Sequence, residues 1–202
     1  KFTRIGINIA KDMNDIRFPE KSINYEEYLM EMKKFLILIS KDIKNLEIMF
    51  FPHIWSDMNI IGDLLSILPD EIRREKTIVS ELCCFKKHKD TIFKDYPKCD
   101  YILATRFHSN IISLSNHIPT IAMINCNQIR GLYREIGLEN YTLDVRKINF
   151  SEEGILKFKD LKNNNNIFKE QIHIKMNYII NQLEEFKTSL NSWLKIVNLK
   201  KL

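Results

Sequence analysis

The sequence predicts an α/β protein with a doubly wound, mostly parallel sheet, and two patterns carry that expectation. Short apolar runs alternate with amphipathic stretches from Arg4 to Asp144, as strands joined by helical crossovers do. Beyond Asp144 the alternation stops and only helical periodicity continues. Composition fits a folded chain, because 45% of the 202 residues are hydrophobic and 28% are charged, enough apolar surface to bury one substantial core.

The strands are expected at Arg4–Ile9, Leu46–Phe51, Thr77–Val79, Tyr101–Ala104, Thr120–Ile124 and Tyr141–Leu143. Each is short, apolar and rich in β-branched or aromatic residues, as a strand covered on both faces must be. Between them the helical period appears. Tyr25 to about Ile43 places Tyr28, Met32, Phe35, Leu36 and Ile39 on one face. Asn59–Leu68 is stopped by Pro69, and a segment around Phe85–Tyr96 by Pro97, since proline has no amide hydrogen to continue a helix. Ser109–Asn116 and Gln128–Ile136 complete the set, with Gly137 placed to cap the latter. Six strands with five helical connections make a doubly wound sheet.

Residues 1–150 are therefore expected to form a Rossmann-like unit and 151–202 a C-terminal helical segment. Ser151-Glu152-Glu153 reads as a helix start, and Asn163–Asn166 as a loop. The last helix carries Ile172, Met176, Ile179, Leu183, Phe186, Leu190, Trp193 and Val197, an unbroken four-three alternation that reads as an a/d seam. That seam packs on its own sheet, on a missing N-terminal domain, or on a second copy in a homodimer.

Charge and cysteine content narrow the classes. The formal charge of +5 is spread along the chain, which does not favour nucleic acid. No apolar run reaches eighteen residues, so no spanning helix is expected. The first residues read as a strand and not as a leader, so the chain looks like a piece of a longer protein. Cys83, Cys84, Cys99 and Cys126 form no C-x-x-C pair, which fits reduced thiols in a cytoplasmic compartment with no structural metal.

In open parallel sheets, ligands bind beyond the carboxyl ends of the strands. The best such junction is Thr105-Arg106-Phe107-His108-Ser109. There a planar guanidinium and the amides of a helix start can hold an anion, and an imidazole can act as acid or base near neutral pH. The bland alternative is that Arg106 and His108 cap the helix or pair with Asp100. A second junction holds His53 and Asp57, where His53 is a catalytic candidate and Asp57 more ordinarily a solvated helix cap. A third contains Asn125, Asn127, Gln128 and Arg130, all able to hydrogen-bond a ligand. His88 and His117 read as surface residues. With five glycines there is no G-x-G-x-x-G, no P-loop and no G-x-S-x-G elbow.

The run Asp100–Ser109, followed by Ile118-Pro119-Thr120-Ile121-Ala122, Gly131 and Ile136-Gly137-Leu138, resembles the polysaccharide pyruvyl transferase family. So do Arg4–Asn8 and Phe51-Pro52-His53 with Asp57, and the resemblance covers roughly residues 4–145. It implies two Rossmann-like domains facing each other as in B-type glycosyltransferases, with residues 1–150 as the donor-binding half. This piece alone is expected to be inactive. The implied donor is phosphoenolpyruvate, and the implied acceptor is a sugar of a bacterial surface polysaccharide or a lipid-linked oligosaccharide. No cofactor or metal is implied. The implied location is the cytoplasm, with peripheral association at the inner membrane face.

Carried over, Arg106 binds the donor's carboxylate or phosphate, and His108 sits at the reacting enol. From their places at the strand ends, and not from the resemblance, Lys11, Ser109, Asn125, Gln128 and Arg130 are expected to complete the substrate-binding set. The chain also departs from the family pattern. Ala10, with Lys11 beside it as the nearest cation, stands where an arginine often ends the first strand. Asn125 and Gln128 replace a tyrosine and a lysine, and Asn116-His117-Ile118 lacks the glycine usual before the proline. Two other readings of the same architecture are a nucleotide-sugar glycosyltransferase donor domain and a catalytically silent binding module.

Overall fold

The computed structural model describes residues 2–10, 23–81 and 93–199. Its centre is a six-stranded, all-parallel sheet in the order β3-β2-β1-β4-β5-β6. The strands are β1 (Thr3–Asn8), β2 (Leu46–Phe50), β3 (Thr77–Val79), β4 (Tyr101–Ala104), β5 (Thr120–Ile124) and β6 (Thr142–Asp144). The helices are α1 (Tyr25–Asp42), α2 (Trp55–Ile67), α3 (Asp70–Glu75), α4 (Phe107–Ser115), α5 (Asn127–Glu135), α6 (Phe150–Asn163) and α7 (Asn165–Leu199). This is the Rossmann-like arrangement expected from the alternation. The strand order reverses between β1 and β4, which opens a crevice at that point.

The pleat sorts the core. Ile5, Ile7, Ile48, Phe50, Tyr101 and Leu103 join a large cluster with α1, α2 and α6. Their strand neighbours Met49, Phe51, Ile102 and Ala104 join a smaller one around Tyr96 and Ile118, as residues of opposite parity must face opposite ways. In α1, Tyr28, Met32, Phe35, Leu36 and Ile39 are buried, the stripe read from the sequence. Its start is fixed by a capping box: the Asn24 side chain accepts from the Glu27 amide at 2.9 Å, and the Glu27 carboxylate accepts from the Asn24 amide at 2.8 Å.

Several boundaries differ from expectation. α2 begins four residues early, at Trp55, and the short α3 was not foreseen. Most of the helix expected at Phe85–Tyr96 lies outside the described residues; Tyr96–Lys98 forms a single 3-10 turn around Pro97. The asparagine run is not a loop. α6 ends at Asn163, Asn164 alone breaks the path, and α7 starts at Asn165. Burial of Phe168 and Ile172 fixes that tight junction. Ser151 does not cap α6; its amide and hydroxyl both reach Glu31 of α1, at 3.0 and 2.6 Å. At Gly154 an added Cβ would meet Phe35 at 2.9 Å and Leu143 at 3.0 Å, so the missing side chain lets α6 seat close to α1 and β6.

α4 and α5 end in the same hydrogen-bond pattern. For α5, Gly137 donates to the Arg134 carbonyl and Leu138 to the Tyr133 carbonyl, with Gly137 at φ 74°. For α4, His117 donates to Leu114 and Ile118 to Ser113, with His117 at φ 56°. A Cβ in this left-handed region crowds the following carbonyl. We therefore expect His117→Gly to raise stability by ~0.5–1 kcal/mol, read as a higher urea midpoint at unchanged slope.

Candidate functional site

The carboxyl ends of β1, β2 and β4 are braced by one amide. The fully buried Asn8 donates from Nδ2 to the Phe51 carbonyl at 2.8 Å and accepts the Arg106 amide on Oδ1 at 2.9 Å. Its own carbonyl accepts the Thr105 amide at 3.0 Å. In the sequence Asn8 is marked only as a polar side chain that follows Ile5, Gly6 and Ile7 at the buried end of its strand.

Arg106 turns toward α2, where its Nε lies 2.8 Å from Asp57 Oδ2 and its Nη2 lies 2.5 Å from Oδ1. The Asp57 carboxylate has no exposed surface, and it also accepts the His53 amide at 2.9 Å and the Ile54 amide at 3.3 Å. Two expectations are corrected. Asp57 is not a solvated cap, because four donors draw it inside at the third position of α2. Arg106 does not pair with Asp100, which instead accepts the Arg4 amide at 2.9 Å. One edge of the guanidinium fork is thus committed to Asp57, in the bidentate geometry with which such a fork can hold an anion.

His53 and Ser109 are also placed differently from expectation. The buried His53 ring has Nε2 2.7 Å from the Tyr96 hydroxyl, which lies 2.8 Å from Ser109 Oγ. Tyr96 stacks on Phe51 at 4.2 Å, and Phe93 tilts against His53 at 5.5 Å. Ser109 is fully buried, so its hydroxyl serves this internal chain and not a ligand. Burial lowers the His53 pKa to about 4, with Arg106 and His108 acting the same way and Asp57 opposing them. His53 is neutral at pH 7 and faces Tyr96.

A cleft of about 230 Å³ opens between the β4–α4 and β5–α5 junctions. Its lining is Thr105, Arg106, Phe107 and His108 from the first, and Asn125, Cys126 and Gln128 from the second. His108 is exposed at the second position of α4. Among the described residues neither helix has a side-chain cap at its start, which leaves first-turn amides there as donors for an anion. Asn125 is 2% exposed, and its Oδ1 has no hydrogen-bond partner among the described residues, a state that a bound donor would relieve.

Arg106, His108, Asn125 and Gln128 are thus brought to one cleft, whereas His53, Ser109 and Arg130 are not in its lining. Arg130 donates to Asp144 Oδ2 at 2.9 Å. Burial works against the charge of Asp144, but hydrogen bonds and charge from Arg146, with Arg130 behind it, hold its carboxyl below the usual range. Lys11, Cys83, Cys84 and His88 lie outside the described residues. Cys99 is a buried free thiol whose pKa burial pushes up to about 12. Among the described residues, no helix is long and apolar enough to cross a membrane.

A family model described as polysaccharide pyruvyl transferase matches residues 35–127, just under half of the chain. The matched stretch runs from the middle of α1 to the first residue of α5, and contains Asp57, Arg106, His108 and Asn125. No curated protein matches the chain.

Proposed function

From the match of residues 35–127 to the polysaccharide pyruvyl transferase family, we propose that this chain is the donor-binding half of an enzyme that moves pyruvate from phosphoenolpyruvate onto a polysaccharide sugar. Residues 1–150 form the donor-binding unit in this reading, and residues 151–202 the helical segment. The observation that carries it is the cleft itself. An exposed imidazole, a guanidinium and two uncapped helix starts share about 230 Å³ beside the point where the strand order reverses.

The chemistry needs an anion clamp and one acid/base group. His108 delivers a proton to the terminal methylene carbon of the enol, and positive charge develops on the central carbon as a methyl group forms. One acceptor hydroxyl adds there, the C–O bond to phosphate breaks with its electron pair leaving on phosphate, and a second hydroxyl closes the ketal. Of the two hydroxyl protons released, one restores His108 and the other goes to phosphate. Because Asp57 offsets the charge of Arg106, the amides of α4 and α5 supply much of the field on the departing phosphate. Arg106 acts as a fixed wall of the cleft, held from behind by Asp57.

Calorimetry compares phosphoenolpyruvate with uridine nucleotides. We expect weak binding of the former and none of the latter. We also expect that binding to weaken without disappearing in the D57N/R106Q variant, which replaces the ion pair by neutral groups of similar shape. Binding of the uridine nucleotide alone moves the assignment to a sugar-nucleotide transferase. Among the described residues no carboxylate lines the cleft to take ribose hydroxyls, which disfavours that alternative. The engaged fork of Arg106 is the one observation favouring a silent binding module, and failure of every anion to bind supports it.

A further inference from the structure

Beyond Met176, α7 leaves the body of the protein with its seam uncovered. Ile172 is 1% exposed, but Ile179, Leu183, Phe186, Leu190 and Trp193 are 43, 49, 61, 40 and 58% exposed. Ile180, Leu194 and Ile196 widen the same face, at 50, 41 and 55%, while Asn181, Glu184, Glu185, Thr188, Asn191 and Ser192 occupy the opposite side. Where α7 meets α4 and α5, the seam opens into an apolar hollow of about 150 Å³, walled by Ile111, Leu114, Leu132, Ile136, Met176 and Ile179.

We infer that a second copy of this chain covers the seam, the two α7 helices running antiparallel about a two-fold axis between Leu183 and Phe186. The spacing is self-complementary in that direction. Leu183 lies opposite Phe186 of the other copy, Ile179 opposite Leu190, and Met176 opposite Trp193, so each tryptophan seats at the other copy's hollow. No like charges meet along the flanks: Lys187 falls opposite Ile180 and Lys175 opposite Ile196, where the lysine stems lie on apolar surface with their ammonium groups in water. The eight exposed side chains offer on the order of 800 Å² per copy, the size class of a stable interface. An isologous pair of this kind closes on itself and leaves no seam open to further association. The cleft plays no part in this association, so it stands or fails independently of the proposed reaction.

Sedimentation of the whole chain at tens of micromolar is expected to give a dimer. L183E/F186E is expected to give a folded monomer, because neither side chain packs within its own copy, with the thermal midpoint that the wild-type chain shows when diluted until its dimer dissociates. Oxidation of a M176C/W193C double variant is expected to give a covalent dimer that neither single variant forms. A monomeric wild-type chain, or a dimer that survives L183E/F186E, overturns the inference. A dimer that M176C/W193C does not cross-link overturns the antiparallel register.

Discussion

Arg106→Ala is expected to cost about 3–5 kcal/mol of folding stability at pH 7, the range for removing one partner of a buried ion pair. The asymmetry between the partners is the reason. Arg106 keeps 17% of its side chain exposed while Asp57 keeps none, so deleting the guanidinium strands a carboxylate with only backbone amides to hold its charge. Asp57→Ala should cost less, because the guanidinium it leaves keeps 17% of its side chain exposed to water. D57N/R106Q should recover most of the loss, since the carboxamide oxygen it places on α2 can still accept the His53 amide without carrying a buried charge. Urea unfolding of Arg106→Ala, Asp57→Ala and the D57A/R106A double variant, combined as a double-mutant cycle, measures the coupling. A loss below about 1 kcal/mol in Arg106→Ala would place the pair among solvent-screened ion pairs. The functional consequence is direct: a ligand that fails to bind Arg106→Ala reports on folding, so binding must be judged in D57N/R106Q or in His108→Gln, whose exposed ring meets its chain neighbour Phe107 edge-on at 6.1 Å between ring centres.

The sheet was legible because its strands are apolar on both faces, and every expected strand lies within a residue of its position in the structure. Helix starts were harder. α2 begins at Trp55 because Asp57 reaches back to the His53 and Ile54 amides, a contact that no apolar spacing announces. α3, with the sequence Asp-Glu-Ile-Arg-Arg-Glu, buries only Ile72, too little to show a periodic face. The asparagine run looked like a loop because its letters favour turns; the apolar anchors that override them, Phe168 and Ile172, come later in the chain. At the site, the Thr105–Ser109 junction was readable because strand, anion-binding side chain and helix start are contiguous. The partners were not. Asp57 and Arg106 are 49 residues apart, and His53 and Tyr96 are 43 apart, so only the closing of the sheet brings them together. His53 and Ser109 carried polar chemistry at a strand end, as catalytic residues do, yet their positions face inward, where the same chemistry builds structure.

His53 makes that structural role measurable. A histidine ordinarily titrates near 6.5, and burial lowers this one to about 4. The unfolded chain therefore binds a proton that the folded chain refuses throughout the interval between those values. Stability is complete above pH 6.5 and is lost as pH falls through that value, until the folded protein takes up the proton near pH 4. Integrated over the interval, the loss is on the order of 3 kcal/mol. Urea midpoints taken every half unit from about pH 7.5 to about pH 4.5 should fall with a slope approaching one proton. His53→Gln, which can still hydrogen-bond the Tyr96 hydroxyl but cannot titrate, should flatten the profile above about pH 5, where carboxylates of ordinary pKa have yet to take up most of their protons. An equal slope in wild type and variant would mean that protonation elsewhere drives the acid sensitivity. Protonating the imidazole also places a cation beside Tyr96, so loss of the His53–Tyr96–Ser109 chain should loosen the start of α4, on which both Arg106 and His108 depend. Ligand binding to the folded protein should accordingly hold through that interval, weaken only as pH approaches 4, where the folded His53 takes up its proton, and persist there in His53→Gln.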